Sequence, residues 1–291
     1  MNHAVAPTGD RRAVSTDDAW SLSFATTDMD LLASLRLVQR RYELRGYLPE
    51  GEECADLTLF HILPGSRTVV VRVGSRIVAT ATYVRDSPLG LPADLVFSDS
   101  LTAIRAEGRR MVEISGLAID ERIRAEDRGR VGIWLFQVLE EMARRSNVDD
   151  MVITVNPRHV GYYSRRLGFG PMDGPRPHPS VQGADAVLMR QVKEAAVDHL
   201  VWWNRKKEVN EVFVSAFLNK TQPWVWDSAR LTEWAQRMRF AVANITEGGC
   251  SYLRNLFPEF EWSRRCAGSK MFRSHVPFTD CASAYTLPLA S

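Results

Sequence analysis

The sequence predicts an α/β (α+β) fold: a mixed central sheet flanked by helices, followed by a mainly helical C-terminal extension. Three observations lead there. Short β-branched runs alternate with amphipathic stretches of helical period between residues 21 and 192. Two of those runs, Thr68–Val73 and Ile77–Val84, are separated only by Gly74-Ser75-Arg76, which marks an antiparallel hairpin. Later runs are separated by helix-length stretches, which suit crossover connections. From Ala195 onward the texture changes, and six of the eight tryptophans lie there: Trp202, Trp203, Trp224, Trp226, Trp234 and Trp262.

In chain order, Ser21–Ala25 reads as a short strand. Leu31, Leu32, Leu35, Val38, Tyr42 and Leu44 recur at helical spacing, with Asp28 or Asp30 as the expected N-cap and Gly46 as the stop. The hairpin follows. Asp86–Pro92 breaks regularity, and a short helix is expected over Ala93–Glu107. Met111–Ile119 is the next strand. A charged loop, Asp120–Arg130, then leads into an amphipathic helix at Val131–Arg145. Met151–Val155 is a short apolar strand, and Pro157 opens a helix reaching about Arg166 that Gly168-Phe169-Gly170 ends. Ala186–Val192 is one more strand, giving the order β-α-β-β-(α)-β-α-β-α-β. Beyond it, Ala195–Leu218 and Ser228–Thr246 read as helices. The chain thus divides into 1–20, a disordered N-terminal segment; 21–194, the α/β domain; and 195–291, the Trp-rich extension.

Composition excludes several function classes. With 37 basic and 35 acidic residues among 291, the net charge of +2 carries no global nucleic-acid signal. Cys54, Cys250, Cys266 and Cys281 form no C-x-x-C pair and match no histidine spacing, so no metal site is expected, and reduced thiols in the cytoplasm are the better reading. Met1–Asp18 is polar and unlike a signal peptide, and no segment has the uncharged apolar length of a transmembrane helix.

Glu113 sits inside the otherwise apolar strand Met111–Ile119. Burying a carboxylate there is costly unless it is paired or kept wet in a cleft. It is therefore either a general base acting on an amine, directly or through water, or an outward-facing residue on the strand's polar side. After the strand come Arg122, Arg124, Arg128, Gly129, Arg130 and Gly132, ahead of a helix. Backbone N–H groups at a helix N-terminus bind phosphate, and glycines permit close approach. Glu121, Glu126 and Asp127 offset part of that positive charge, so a solvated charged loop is the competing reading.

The most specific stretch is Asn156-Pro-Arg-His-Val-Gly-Tyr-Tyr-Ser-Arg-Arg-Leu-Gly-Phe169. A strand ends at Asn156, a helix carries Tyr163 seven residues later, and Gly-Phe closes it. This resembles the last signature motif of the GNAT acyltransferases. The resemblance implies that the strand before this helix diverges from its neighbour, opening a slot for a pantetheine arm, and that a helix Tyr protonates the leaving thiolate. Tyr163 is then the general-acid candidate, with Tyr162 as its competitor. His159 is a candidate proton relay or carboxylate ligand, or else a helix cap, and His178 is a weaker candidate of the same kind. Backbone groups at Leu117, Ala118 and Ile119 would polarise the thioester carbonyl. Arg128, Gly129, Arg130, Gly132 and Asn156 complete the candidate donor-binding set.

Two departures narrow the resemblance. The Gly-Phe lies one residue later than is common in the family, and Glu126-Asp-Arg-Gly-Arg-Val-Gly132 does not follow the usual phosphate-loop spacing. Together with Asp86-Ser-Pro-Leu-Gly-Leu-Pro-Ala-Asp94, Glu113-x-Ser115-x-Leu117-Ala118 and the arginine-rich first helix, the chain resembles the long-chain N-acyl amino acid synthases of the FeeM type, relatives of the acyl-homoserine lactone synthases. That similarity, over Leu31–Met189, implies transfer of a long-chain acyl group from an acyl carrier protein thioester to the amine of an amino acid. Acyl carrier protein or acyl-CoA would be the co-substrate, with no bound cofactor and no metal. An acidic carrier protein would dock on Arg122, Arg124, Arg128 and Arg130 and on Arg158, Arg165 and Arg166. Competing expectations are a CoA-dependent N-acetyltransferase, a lactone synthase (against which stands Gly116, where an Arg usually follows) and a non-catalytic acyl-thioester sensor. The tail aromatics Trp202, Trp203, Phe213, Phe217, Trp224 and Trp226 either line an acyl tunnel or pack a helical cap, packing being the commoner fate of large aromatics.

Overall fold

The computed structural model describes residues 20–49, 57–193, 226–237, 240–241, 245–260 and 262. Expectations for residues 1–19, for Ala195–Leu218, for Trp202, Trp203 and Trp224 and for Cys54, Cys266 and Cys281 lie outside these residues. Strand β1 (Trp20–Phe24) precedes helix α1 (Asp28–Glu43). Thr27, rather than Asp28 or Asp30, caps α1, its hydroxyl accepting the Asp30 N–H at 3.1 Å. The short β2 (Leu57–Thr58) and α2 (Leu59–Ile62) come next and had no periodic signal, being too short to show one. The hairpin β3 (Arg67–Val73) and β4 (Arg76–Arg85) forms as expected, with Gly74 at φ +57° in the turn.

Helix α3 (Asp94–Ala106) leads to β5 (Met111–Ile119). Helix α4 spans Ala125–Arg145, so it starts six residues earlier than expected. Arg128, Gly129, Arg130 and Gly132 are therefore helical residues rather than loop residues. The turn of charge that resembled a loop is the first helical turn, exposed except at Asp127, with Glu126 and Asp127 complementing the helix dipole. Strand β6 (Asp150–Val155) follows, then a 3-10 turn at Pro157–His159 and α5 (Val160–Leu167). Two-residue strands β7 (Gly170–Pro171) and β8 (Arg176–Pro177) precede β9 (Asp185–Val192). In the extension, the helix expected over Ser228–Thr246 is α6 (Ser228–Arg237) followed by β10 (Phe240–Ala241), with a further helix α7 at Glu247–Leu256.

The main sheet runs β1-β3-β4-β5-β6-β9-β7, with β8 on β9. Only β5 and β6 pair in parallel within it; their neighbours are antiparallel. Helices α4 and α5 cover one face through Val131, Leu135, Phe136, Leu139 and Leu167, packed on Val71, Ala81, Ile114, Ile153 and Val187. On the other face, α3 packs Phe97, Leu101 and Ile104 on Val84, Val152 and Leu188. Beside it, Leu31 and Leu35 of α1 share a cluster with Val70, Leu231, Trp234, Leu253, Phe257 and Trp262. The described tail aromatics thus pack in one cluster with α1, and the Trp234 indole donates to Asp28 Oδ1 at 3.1 Å. Burying such surface at about 25 cal/mol per Å² is what holds the extension there. Among the described residues, Cys250 is a free, buried thiol.

Candidate active site

The parallel pair β5–β6 stays in register over three positions only: Met111 with Asp150, Val112 with Met151 and Glu113 with Val152. Beyond Glu113 the strands part, although β5 continues to Ile119 and β6 to Val155. A second device acts at the same point. Opposite β4, the register slips between Thr80–Ala118 and Thr82–Ser115, and Gly116 takes φ +58°. The extra residue is a bulge in β5, and it bends the strand. A Cβ at Gly116 would meet only ordinary contacts, the nearest being Val38 at 3.6 Å, so it is the left-handed backbone that asks for glycine. Ser115, Gly116 and Leu117 are half-buried, with Ala118 buried and Ile119 half-buried behind them. Their edge toward β6 has no strand partner among the described residues, leaving main-chain polar groups for another partner.

Glu113 closes the narrow end of this gap. Its residue is 3% exposed, so it is not an outward-facing strand residue. Val84 of β4 and Val152 of β6 flank it, and its Oε2 accepts the Ala93 N–H at 2.7 Å. No cation pairs with it among the described residues. Burial pushes its carboxyl up to about 8; the Ala93 N–H opposes the rise and the Asp94 charge adds to it. Tyr42 of α1 is raised first by burial and then by the Glu113 charge. Tyr163 of α5 is raised by burial, with Tyr162 and Tyr42 adding to it, so the phenol keeps its proton through the neutral range. Its ring packs edge-on to Phe136 at 5.9 Å and to Phe169 at 6.2 Å. Glu113, Tyr42 and Tyr163 are thus electrostatically linked across the gap, although they sit on three different elements.

Tyr162 points elsewhere. It is 42% exposed, and its hydroxyl lies against Gly132, where a Cβ would come within 3.7 Å of it. With Arg124, Asp127, Gly129, Arg130 and Arg166 it lines a cavity of about 530 Å³ between the starts of α4 and α5. The arginines there are engaged. Arg124 Nε donates to Asp127 at 2.8 Å, Arg130 Nη2 to Asp127 at 2.6 Å, and Arg122 Nη2 to Asp120 at 2.7 Å. Arg128 donates to the Ile123 carbonyl at 3.3 Å. Asp127 is covered by these side chains, and the Arg130 bond first of all holds its carboxyl below the usual range. Charge that the sequence offers as a phosphate cradle is therefore partly answered within α4 itself.

Asn156 ties the end of β6 in place. Its Oδ1 accepts the Arg158 N–H at 3.2 Å and its Nδ2 donates to the Asp185 carbonyl at 3.3 Å. His159 is exposed at the surface, its Nε2 accepting from Arg158 Nε at 3.2 Å. Burial, then Arg158 and Arg45, lowers its pKa, which leaves the ring neutral. Arg158 also donates to the Tyr47 hydroxyl at 2.9 Å, bridging the end of α1 to the start of α5. His178 instead accepts the Ser180 N–H at 3.2 Å, an Asx-like turn cap. Sequence reasoning missed Tyr42, the Ala93 N–H and Asp127. Only Asp127 had a local signal, an acid with arginines three residues to either side.

The mixed sheet with its one divergent parallel pair, together with the family match, makes the chain a GNAT-fold N-acyltransferase. The family model described as N-acyl amino acid synthase FeeM matches residues 33–191, more than half of the chain, and the chain belongs to that family. The solved structure of FeeM, an N-acyl amino acid synthase from uncultured soil microbes, superposes with a TM-score of 0.56 at 23% identity, covering 64% of this chain and 99% of that one. An acyl-CoA N-acyltransferase from Pseudomonas aeruginosa gives a TM-score of 0.41 at 15% identity over 60% of this chain and 100% of that one. ElaA from Escherichia coli gives 0.42 at 14% over 60% and 99%. No curated protein sequence matches the chain.

Proposed function

We propose that the enzyme transfers a long-chain acyl group from an acyl carrier protein thioester to the amine of an amino acid or similar small molecule, in the cytoplasm. The observation that carries this is the gap beyond Glu113–Val152, with a strand edge on one side that has no partner among the described residues and a buried carboxyl at its apex. The two amides of a pantetheine arm would pair with the free edge of β5 as an added strand does. N–H groups near Leu117–Ile119 would then meet the thioester carbonyl and stabilise the tetrahedral oxyanion. Glu113 in its ionised form would take a proton from the substrate ammonium, directly or through water, and so free the nitrogen lone pair that attacks the thioester. Tyr163, kept protonated by burial, would give one to the leaving thiolate. Of the three protons on the substrate ammonium, one goes to Glu113, one replaces the proton that Tyr163 gives up and one stays on the amide; one thioester is broken, one amide formed and one thiol released.

Asp127 favours the carrier protein over CoA as donor. Its carboxylate already stands at the third residue of α4, bonded to Arg124 and Arg130, where a pyrophosphate would seek the helix N-terminus and those same arginines. A carrier protein brings a single phosphate and an acidic surface instead, for which Arg128, Arg158, Arg165 and Arg166 supply counter-charge around the mouth. Mass spectrometry of products from acyl carrier proteins or acyl-CoAs with pooled amino acids tests the assignment. An N-acyl amino acid formed only from the carrier protein supports it, and products formed as readily from acyl-CoA overturn it. Replacing Tyr163 with Phe should lower kcat roughly ten- to hundredfold, with the loss smaller for acyl donors whose thiol leaves more readily. Equal loss across a series of leaving thiols would remove Tyr163 from the acid role.

A further inference from the structure

The connection between β4 and α3 holds a cluster that the chemistry above leaves unused. Arg105, in the last turn of α3, reaches back to both ends of the loop. Its Nε and Nη2 donate to Asp86 at 2.7 and 2.9 Å, and its Nη1 and Nη2 to Asp94 at 2.8 and 2.6 Å. Asp86 is itself anchored, its N–H donating to the Met111 carbonyl at the start of β5 at 3.1 Å. Asp94 Oδ2 also accepts the Leu91 N–H at 2.7 Å. Gly90, at φ +74°, lets the loop fold onto Asp94 so closely that a Cβ would lie 2.5 Å from Oδ2. At the loop's far end, the Ala93 N–H donates to Glu113 Oε2 at 2.7 Å.

Two-forked guanidinium bonding of this kind is directional and resists rotation. The clamp therefore does two things beside Glu113: it fixes the angle at which the Ala93 N–H meets the carboxyl, and it sets a cation against Asp94, the nearest acid. Among the described residues, the groups facing Glu113 from other elements are few. Tyr42 approaches from α1, while β4 and β6 present Val84 and Val152.

We propose that Arg105 is a positioning residue for the Glu113 carboxyl, holding through Asp86 and Asp94 the loop whose Ala93 N–H bonds that carboxyl. It rests on Glu113 acting as the base, so its test separates the two ideas. Without Arg105 the Asp94 charge stands uncompensated and the Ala93 donor loosens. Both changes favour the neutral acid, so the Glu113 pKa rises.

The experiment is carbon-13 NMR titration of the full chain labelled at glutamate carboxyls, with the Glu113 signal assigned by its loss in Glu113→Gln. In Arg105→Gln the Glu113 titration should move up by about one unit. Arg105→Lys, which keeps the charge but not the fork, should recover part of the shift. Asp86→Asn removes half of the clamp and should give a smaller shift in the same direction, which keeps the question answerable if Arg105→Gln does not fold. Glu140, buried on the opposite face against Gln191, is the internal reference and should not move. An unmoved Glu113, or Glu113 and Glu140 moving together as in general loosening, overturns the proposal. The pH profile of kcat/KM judges the base separately. With Glu113 as base, Arg105→Gln should lose about tenfold at pH 7 and converge with the wild type at high pH. A profile whose limb survives in Glu113→Gln would remove the base assignment, while the NMR shift would still decide the role of Arg105.

Discussion

Glu113 and Asp127 are both nearly inaccessible, at 3% and 2% exposure, yet they respond to burial in opposite ways. Glu113 lies in the sheet between apolar strands with one backbone N–H for company, and its carboxyl rises to about 8. Asp127 lies on the surface of α4, covered by the arginines it binds, and its carboxyl falls. Burial removes water from both. What decides the charge is what replaces the water: a desolvated carboxyl without a cation holds its proton, and one between two guanidinium groups gives it up. A carboxyl of the first kind is suited to proton transfer near neutral pH. One of the second kind is a fixed charge that organises a helix N-terminus.

The comparison is sharpened most by Glu113→Gln. It should lower kcat/KM roughly 10²- to 10⁴-fold at pH 8, and the alkaline-rising limb of the wild-type profile should go with it. Retention of that limb in steady-state kinetics would leave Glu113 as a packing residue. Stability gives the next largest effect. Because the folded-state pKa of Glu113 is raised from 4.5 to about 8, its contribution is fully present below pH 4.5 and is lost as pH rises through 8. Urea titrations at pH 5 and pH 9 should show the wild type losing on the order of 3 kcal/mol more than Glu113→Gln over that interval. Equal losses would mean that Glu113 is solvated. Asp127 should behave in the reverse sense and more weakly. Its pKa is depressed, so its contribution is present above the ordinary aspartate range and fades as pH falls through the lowered value. The stability gap between Asp127→Asn and the wild type should therefore close under acid. Freed from Asp127, Arg124 and Arg130 should also bind acyl-CoA several-fold more tightly, which isothermal calorimetry would detect.

Much of the domain was legible because its signals are local. The hairpin turn at Gly74, the amphipathic period of α1 and α4, the Asn156-Pro157 strand-to-helix junction and the Gly168 stop each follow from a few neighbouring residues. Glu113 stood out because a lone acid in an apolar strand calls for an explanation. The start of α4 was misplaced for the opposite reason. The six charged residues and three small ones in Arg122–Gly132 carry no apolar period, and the packing of Val131 and Leu135 further along recruits that turn into the helix. The two-residue strands β2 and β10 pair with each other from distant parts of the chain, which no local pattern encodes, and β7 and β8, which pair with β9, are too short to show a period.

The sequence by itself determined the order of the principal elements, the family and the types of side chain available to the reaction, since periodicity, turn chemistry and motif spacing are properties of the chain alone. Tertiary structure decided which of those side chains share a site. Tyr42, Ala93 and Glu113 are separated by 51 and 20 positions in sequence. They meet because α1 and α3 pack on the same face of the sheet where β5 leaves β6. It likewise decided that Arg124 and Arg130 are engaged rather than waiting for phosphate, because the charge of an arginine is written in the sequence but its partner is chosen by distance.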